Sequence, residues 1–151
     1  MLNIIPYQQK YHAEFRQLNL EWLEAYNLVE SHDLEILDDP EGTLIAGGGK
    51  LFLALEDDRV VGTAGIWKIN NEEYELVKMA VDPDFRGKGI SKQLLEKCLE
   101  EVRTLGGKKM LLFSNSQLKT ALKLYEQYGF HYVEATDSPF ATADVKMELA
   151  L

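Results

Sequence analysis

The sequence predicts an α+β fold in which helices cover both faces of a mixed, mainly antiparallel central sheet. Two observations carry the prediction. Short apolar runs between residues 51 and 81 are joined by tight turns, as in antiparallel hairpins. After Pro83 the pattern changes to helix, strand, helix, the crossover that sets two strands parallel in one sheet.

Leu2 to Ile5 is a short apolar run stopped by Pro6 and reads as an edge strand. Tyr11, Phe15, Leu18, Trp22 and Tyr26 recur at intervals of three and four. That spacing predicts a helix with these side chains, Trp22 and Tyr26 included, on its core face. A shorter helix is expected from Ser31, whose hydroxyl can cap it, with Leu34, Ile36 and Leu37 inside. Asp39-Pro40-Glu41-Gly42 ends it, and Gly47-Gly48-Gly49 is a loop. Strands follow over Leu51–Leu55, Val60–Trp67 and Tyr74–Val81, with turns at Asp57-Asp58 and Asn70-Asn71. Ile90, Leu94, Leu95, Cys98, Leu99 and Val102 then form one apolar stripe of helical period, and Gly106-Gly107 ends it. Met110 to Phe113 is a short buried strand. Leu118, Ala121, Leu122 and Tyr125 mark another amphipathic helix, with Gly129 suited to the left-handed position just past its end. His131–Glu134 and Val145–Leu149 read as closing strands. The order is β-α-α-β-β-β-α-β-α-β-β.

The 151 residues fit a single domain spanning 1–151, and 46% hydrophobic residues are enough for its core. No apolar run approaches the ~20 residues that cross a bilayer. Met1 to Pro6 lacks the basic and long apolar regions of a secretory leader, so a cytoplasmic protein is expected. Cys98, the single cysteine, can form neither an internal disulfide nor a thiolate cluster. It sits in an apolar stripe, where a free thiol packs as a small hydrophobe. His12, His32 and His131 are scattered without ligand spacing, so no metal is expected. A formal net charge of −9 argues against nucleic acid as a partner, because those contacts come from lysine and arginine. It is compatible with a cationic substrate.

The most informative stretch is Val81-Asp82-Pro83-Asp84-Phe85-Arg86-Gly87-Lys88-Gly89-Ile90-Ser91. A strand ends, two glycines turn the chain, and an amphipathic helix begins. The first amides of a helix lack intrahelical partners and lie at the positive end of its dipole, which makes an anion site. Arg86 and Lys88 add charge, and an arginine can grip phosphate through two hydrogen bonds. Three other glycine motifs fail. The P-loop requires Ser or Thr after Gly49-Lys50, where Leu51 stands. The dinucleotide fingerprint requires a third glycine at Lys92, and the serine elbow G-x-S-x-G requires one at Gln93.

The stretch resembles the pyrophosphate-binding motif of the GNAT family (GCN5-related N-acetyltransferases), Gln/Arg-x-x-Gly-x-Gly/Ala. Arg86, Gly89 and Ser91 fall on its defined positions. Ser91 stands where the family has glycine or alanine; it is small enough for its amide to reach a phosphate. Upstream, Tyr74 to Val81 is similar to the family's fourth strand. Downstream, Ala121 to Phe130 is similar to its A-x-x-L-Y-x-x-x-G-F segment. The three occur in the family's order and together cover about the last half of the chain. Leu118 departs from the pattern, since many members carry a cofactor-contacting asparagine there; Asn115 is the nearby substitute.

The resemblance implies acetyl-CoA as donor and a small-molecule or peptide amine as acceptor. Its pantetheine is expected beside Met79, Ala80 and Val81, and its pyrophosphate at Arg86, Gly87, Lys88, Gly89, Ile90 and Ser91. Asn115 is the further cofactor contact. An amide of Met79 to Val81 is the candidate oxyanion donor. Glu75 is the candidate base. By strand alternation it shares a face with Val77, Met79 and Val81, and a carboxylate on an apolar stripe calls for a reason. The alternative is a strand-end carboxylate paired with a nearby lysine. Tyr125 is the candidate acid for the leaving thiolate. Equally, with Gly129 just past the helix, Tyr125 and Phe130 hold the two positions that meet in a Schellman cap. The loop near Glu24, Asn27, Glu30 and Asp33 borders the acceptor site in this fold, as does the segment Ser138 to Thr142. Many members pair, so a homodimer is compatible. A non-catalytic acyl-CoA-binding or sensor module of the same fold remains the alternative, followed by a relative with another acyl donor.

Overall fold

The computed structural model describes residues 1–136, 138 and 141–151. Its strands are β1 (Leu2–Pro6), β2 (Lys50–Glu56), β3 (Arg59–Lys68), β4 (Glu73–Val81), β5 (Lys109–Ser114), β6 (His131–Val133) and β7 (Val145–Ala150). They form one sheet in the order β1-β2-β3-β4-β5-β7-β6. Only β4 and β5 run parallel; every other neighbouring pair is antiparallel. Helices α1 (His12–Ala25) and α2 (Ser31–Asp38) cover one face, and α3 (Ile90–Thr104) and α4 (Lys119–Gln127) the other. Fold class and element order are those expected.

The continuous apolar run of β2 follows from coverage on both sides. Leu51, Leu53 and Leu55 pack with Phe15, Leu18 and Leu37 beneath α1 and α2, while Phe52 and Ala54 pack with Leu94, Leu95 and Cys98 beneath α3. A strand with no wet side has nothing polar to alternate with. The α3 stripe from Ile90 to Val102 is wholly buried, Cys98 with it. Burial pushes that thiol far above its ordinary range, so it packs rather than reacts.

Three local features differ from expectation. Ser31 does not cap α2. Glu30 is the flanking residue, and its N–H donates to the Asp33 carboxylate at 2.9 Å, so the satisfying acceptor comes from inside the helix. After α2 the chain makes one wide turn, Glu41–Ile45, closed by the Ala46 N–H on the Glu41 carbonyl at 2.8 Å. A single turn of that kind has no periodic signature.

The third difference lies in β4. Gly65 pairs with Val77 and Thr63 with Ala80, so Lys78 and Met79 together oppose the single residue Ala64. This is a β-bulge, and Lys78 takes φ +52 within it. The bulge breaks the expected alternation. Val77 faces the α1 and α2 side, as parity from Glu75 requires, but Met79 and Val81 pack on the α3 and α4 side.

The end of α4 matches expectation closely. Gly129 has φ +96. Its N–H meets the Glu126 carbonyl at 3.0 Å and the Phe130 N–H meets the Tyr125 carbonyl at 3.1 Å, the two bonds of a Schellman motif. Among the described residues no helix is long and apolar enough to cross a membrane.

Candidate active site

β4 and β5 pair from Glu73 and Lys109 to Leu76 and Leu112, and then part. β5 continues beside β7 as far as Ser114, and β4 beside β3 as far as Val81. Beyond Leu76 the edge of β4 that faced β5 has no strand next to it among the described residues. A cavity of about 670 Å³ fills the opening, well inside the ~300–1,000 Å³ of small-molecule sites.

One end of the cavity is the turn into α3. Gly87 and Gly89 have φ +77 and +78, a conformation that disfavours any side chain. A Cβ on either would point into open space, so the room above the turn is available to a ligand. The first α3 bond of this turn runs from the Gln93 N–H to the Gly89 carbonyl. The amides of Ile90, Ser91 and Lys92 therefore have no partner within the helix. Arg86, Lys92, Lys119 and Lys123 also line this end, and among the described residues no salt bridge engages them. A chain of net charge −9 thus presents an uncompensated cationic rim at one place. Free amides, open space above glycine and cations together fit a pyrophosphate.

The structure brings Glu75, Met79, Ala80, Val81, Arg86, Gly87, Gly89, Ile90, Ser91, Asn115 and Tyr125 to this one cavity. Lys88 is the exception: it does not line the cavity, and its ammonium lies 4.9 Å from the centre of the Phe85 ring. Asn115 faces the cavity, but its amide nitrogen donates to the Thr142 carbonyl at 2.6 Å and its oxygen accepts from the Gln117 N–H at 3.0 Å. Tyr125 is 6% exposed. Its ring centre lies 5.8 Å from that of Phe130, and burial raises its hydroxyl above the ordinary 10. It packs in the cap and faces the cavity at once, so both readings of it stand.

The other end lies under α1 and α2. Trp22 and Tyr26 are half-buried with ring centres 5.2 Å apart; they pack against the core beneath α1 and α2, as the stripe predicts, and line the cavity as well. The stripe spacing holds to the end of α1, where Leu23 is buried; what the spacing does not show is the cavity beside that last turn. Glu24 and Asn27 are exposed. The Asp33 and Glu30 carboxylates are already committed. Asp33 pairs with Lys78, their side chains 4% and 5% exposed. Glu30 accepts the Ala141 N–H at 2.8 Å, the Thr142 N–H at 3.0 Å and the Thr142 hydroxyl. Of the segment Ser138 to Thr142, Pro139 and Phe140 lie outside the described residues. Thr142, from the segment expected to border the acceptor site, lines the cavity, whereas sequence reasoning missed Asn19, Gln117, Lys119 and Lys123 as lining residues. Only the lysines had a signal, their i, i+4 spacing on one face of α4. Among the described residues no group of His, Cys, Asp and Glu is placed to hold a metal ion.

The profile of the Acetyltransferase (GNAT) family matches residues 11–130. The chain belongs to that family. It is 32% identical over 106 residues to the ribosomal protein bS18 alanine N-acetyltransferase of Salmonella typhimurium, covering 68% of this chain and 71% of that one. It is 37% identical over 81 residues to the uncharacterized N-acetyltransferase YjgM of Escherichia coli, covering 52% of this chain. The match spans about half of that relative, 48% of its length. Among solved structures, a GNAT-family acetyltransferase from Staphylococcus aureus superposes with a TM-score of 0.93 at 24% identity, over 100% of this chain and 99% of that one. An N-acetyltransferase from Thermoplasma acidophilum, solved in complex with coenzyme A, has a TM-score of 0.78 at 17% identity, over 100% and 99%.

Proposed function

We propose that this chain transfers the acetyl group of acetyl-CoA to a primary amine by direct attack on the thioester. The observation that carries this reading is the parting of β4 from β5: an unpaired strand edge runs directly into a turn of free amides and cations. An extended arm ending in a pyrophosphate matches that surface, the arm adding to the sheet edge and the phosphates meeting the turn. The α4 lysines widen the anionic contact to a further phosphate. The coenzyme A in the Thermoplasma neighbour supports the same choice of donor.

The bond that forms is amine nitrogen to carbonyl carbon, and the bond that breaks is carbon to sulfur. A lysine-like amine, pKa ~10.4, is neutral about once in 10³ molecules at pH 7, so a base raises the reactive fraction. Glu75 lines the cavity wall and takes that task, directly or through water. An amide of the β4 edge supports the carbonyl oxygen as it gains charge. Tyr125 faces the leaving sulfur. A thiol of pKa ~8.5 is a stronger acid than a tyrosine, and burial widens the gap. Tyr125 therefore serves best as a hydrogen-bond donor to the departing thiolate, which takes its final proton from solvent or from the protonated base.

The test is calorimetric titration of acetyl-CoA into wild type and Arg86→Ala, followed by thiol release against a panel of amines. Micromolar binding, weakened about tenfold or more in the variant, with amine-dependent thiol release, is the expected result. Absence of binding by folded wild type overturns the reading. Binding without thiol release for any amine favours the non-catalytic acyl-CoA-binding module.

A further inference from the structure

Lys78 is the residue least explained by packing. It is not glycine, yet it holds φ +52 in the middle of a strand, a conformation strained for a side-chain-bearing residue. Its ammonium is buried against the Asp33 carboxylate. A buried ion pair is weak evidence for stability, because desolvation offsets the attraction. Two costly features at one residue, on the wall of the cavity, ask for a joint cause.

The register supplies it. Tyr74 and Leu76 point into the core beneath α3. Unbroken alternation would send Lys78 into that apolar core as well. The bulge turns it to the opposite face, where Asp33 on α2 receives it. The backbone is held from the neighbouring strand too. The Thr63 hydroxyl donates to the Lys78 carbonyl at 2.7 Å, and the Asn19 amide donates to the Thr63 oxygen at 3.0 Å. All of this happens within two residues of Leu76, where β4 leaves β5.

We infer that Asp33 and Lys78 are positioning residues: their ion pair, with Thr63 and Asn19, holds Lys78 in its left-handed conformation and so aims the free β4 edge at the thioester. The inference rests on the acetyl-CoA reading above and adds its geometric control. Neither side chain touches the reacting atoms. The pair acts through the direction of the amides that follow it.

A glycine separates backbone from charge, because it adopts positive φ freely. The variants are Asp33→Asn/Lys78→Met, which removes the pair and keeps the strain, and Asp33→Asn/Lys78→Gly, which removes both. The readouts are acetyl-CoA affinity by calorimetry, the infrared carbonyl band of bound acetyl-CoA labelled with ¹³C at the carbonyl, and turnover with the best amine of the panel. In wild type the band should lie below that of free acetyl-CoA. The methionine variant should lose that displacement and at least about tenfold in kcat, with affinity within about threefold. The glycine variant should recover most of both. If the methionine variant does not fold, Thr63→Val, which frees the Lys78 carbonyl, should show the same loss. An unchanged band in every variant, or equal loss with methionine and glycine, overturns the inference while the acetyl-CoA reading survives. No binding by wild type overturns both.

Discussion

The two ends of the cavity were made in different ways. The end at α3 is built from nearly contiguous chain: Met79 to Val81, then Arg86 to Ser91 without Lys88, with one face of α4 beside them. The end under α1 and α2 is assembled from Trp22, Tyr26, Asp33, Glu75, Asn115, Gln117 and Thr142, which come from five separate stretches. They are tied across long intervals, Glu30 to Thr142, Asn115 to Thr142, and Gln117 to the Tyr26 carbonyl at 3.2 Å. A phosphate is recognised by backbone amides in a fixed turn, which a short sequence can specify. An acceptor is recognised by side chains that only the folded chain brings together.

The sharpest way to break this contrast is to weaken each end separately. Leu94 is fully buried in the stripe of α3, the helix that the Arg86 to Ser91 turn opens. Leu94→Ala should lower unfolding free energy by about 2–5 kcal/mol in urea titrations. Gly89→Val places a β-branched side chain at φ +78 and fills the space above the turn. It should weaken acetyl-CoA binding by at least about tenfold in calorimetry, from backbone strain of roughly 1–3 kcal/mol. Unchanged affinity would move the phosphates elsewhere. Tyr125→Phe keeps the ring contact with Phe130 and removes only the hydroxyl. Its kcat should fall about tenfold with Tm nearly unchanged, the split expected of a transition-state contact. A purely structural tyrosine would leave kcat alone.

The end under α1 and α2, proposed for the acceptor, should respond differently. Trp22→Ala removes a half-buried ring from the cavity wall. It should raise the amine KM several-fold, roughly 1 kcal/mol of lost contact, and leave acetyl-CoA affinity intact. Equal loss of both would erase the distinction between the ends. The smallest effect concerns pH. Burial alone would raise the Glu30 carboxyl, but the Thr142 hydroxyl, the Thr142 N–H and the Ala141 N–H outweigh it and hold it below the ordinary 4.5. A carboxyl lowered on folding contributes stability above its unfolded value and loses it as pH falls through its folded value. Glu30→Gln should therefore flatten the acid limb of a Tm profile below about pH 4.5 and change little near neutrality.

What the sequence determined by itself was the periodic and glycine-dependent local structure. The apolar stripe of α3 became its buried face, Gly129 took the left-handed position, and the Arg86 to Ser91 turn carried the family resemblance that the residue 11–130 match established. Helical period, glycine conformation and unpaired helix amides depend on neighbours in the chain, so they can be read there. The tertiary structure alone decided the rest. It set Trp22 and Tyr26 on the wall of a cavity as well as against the core, and tied the Asn115 amide nitrogen to the Thr142 carbonyl. It also placed a bulge at Lys78, which sent Met79 and Val81 to the face opposite Val77. One extra residue in a strand reverses every side chain beyond it, and the partner of that residue's ammonium is an aspartate 45 positions away, on a helix.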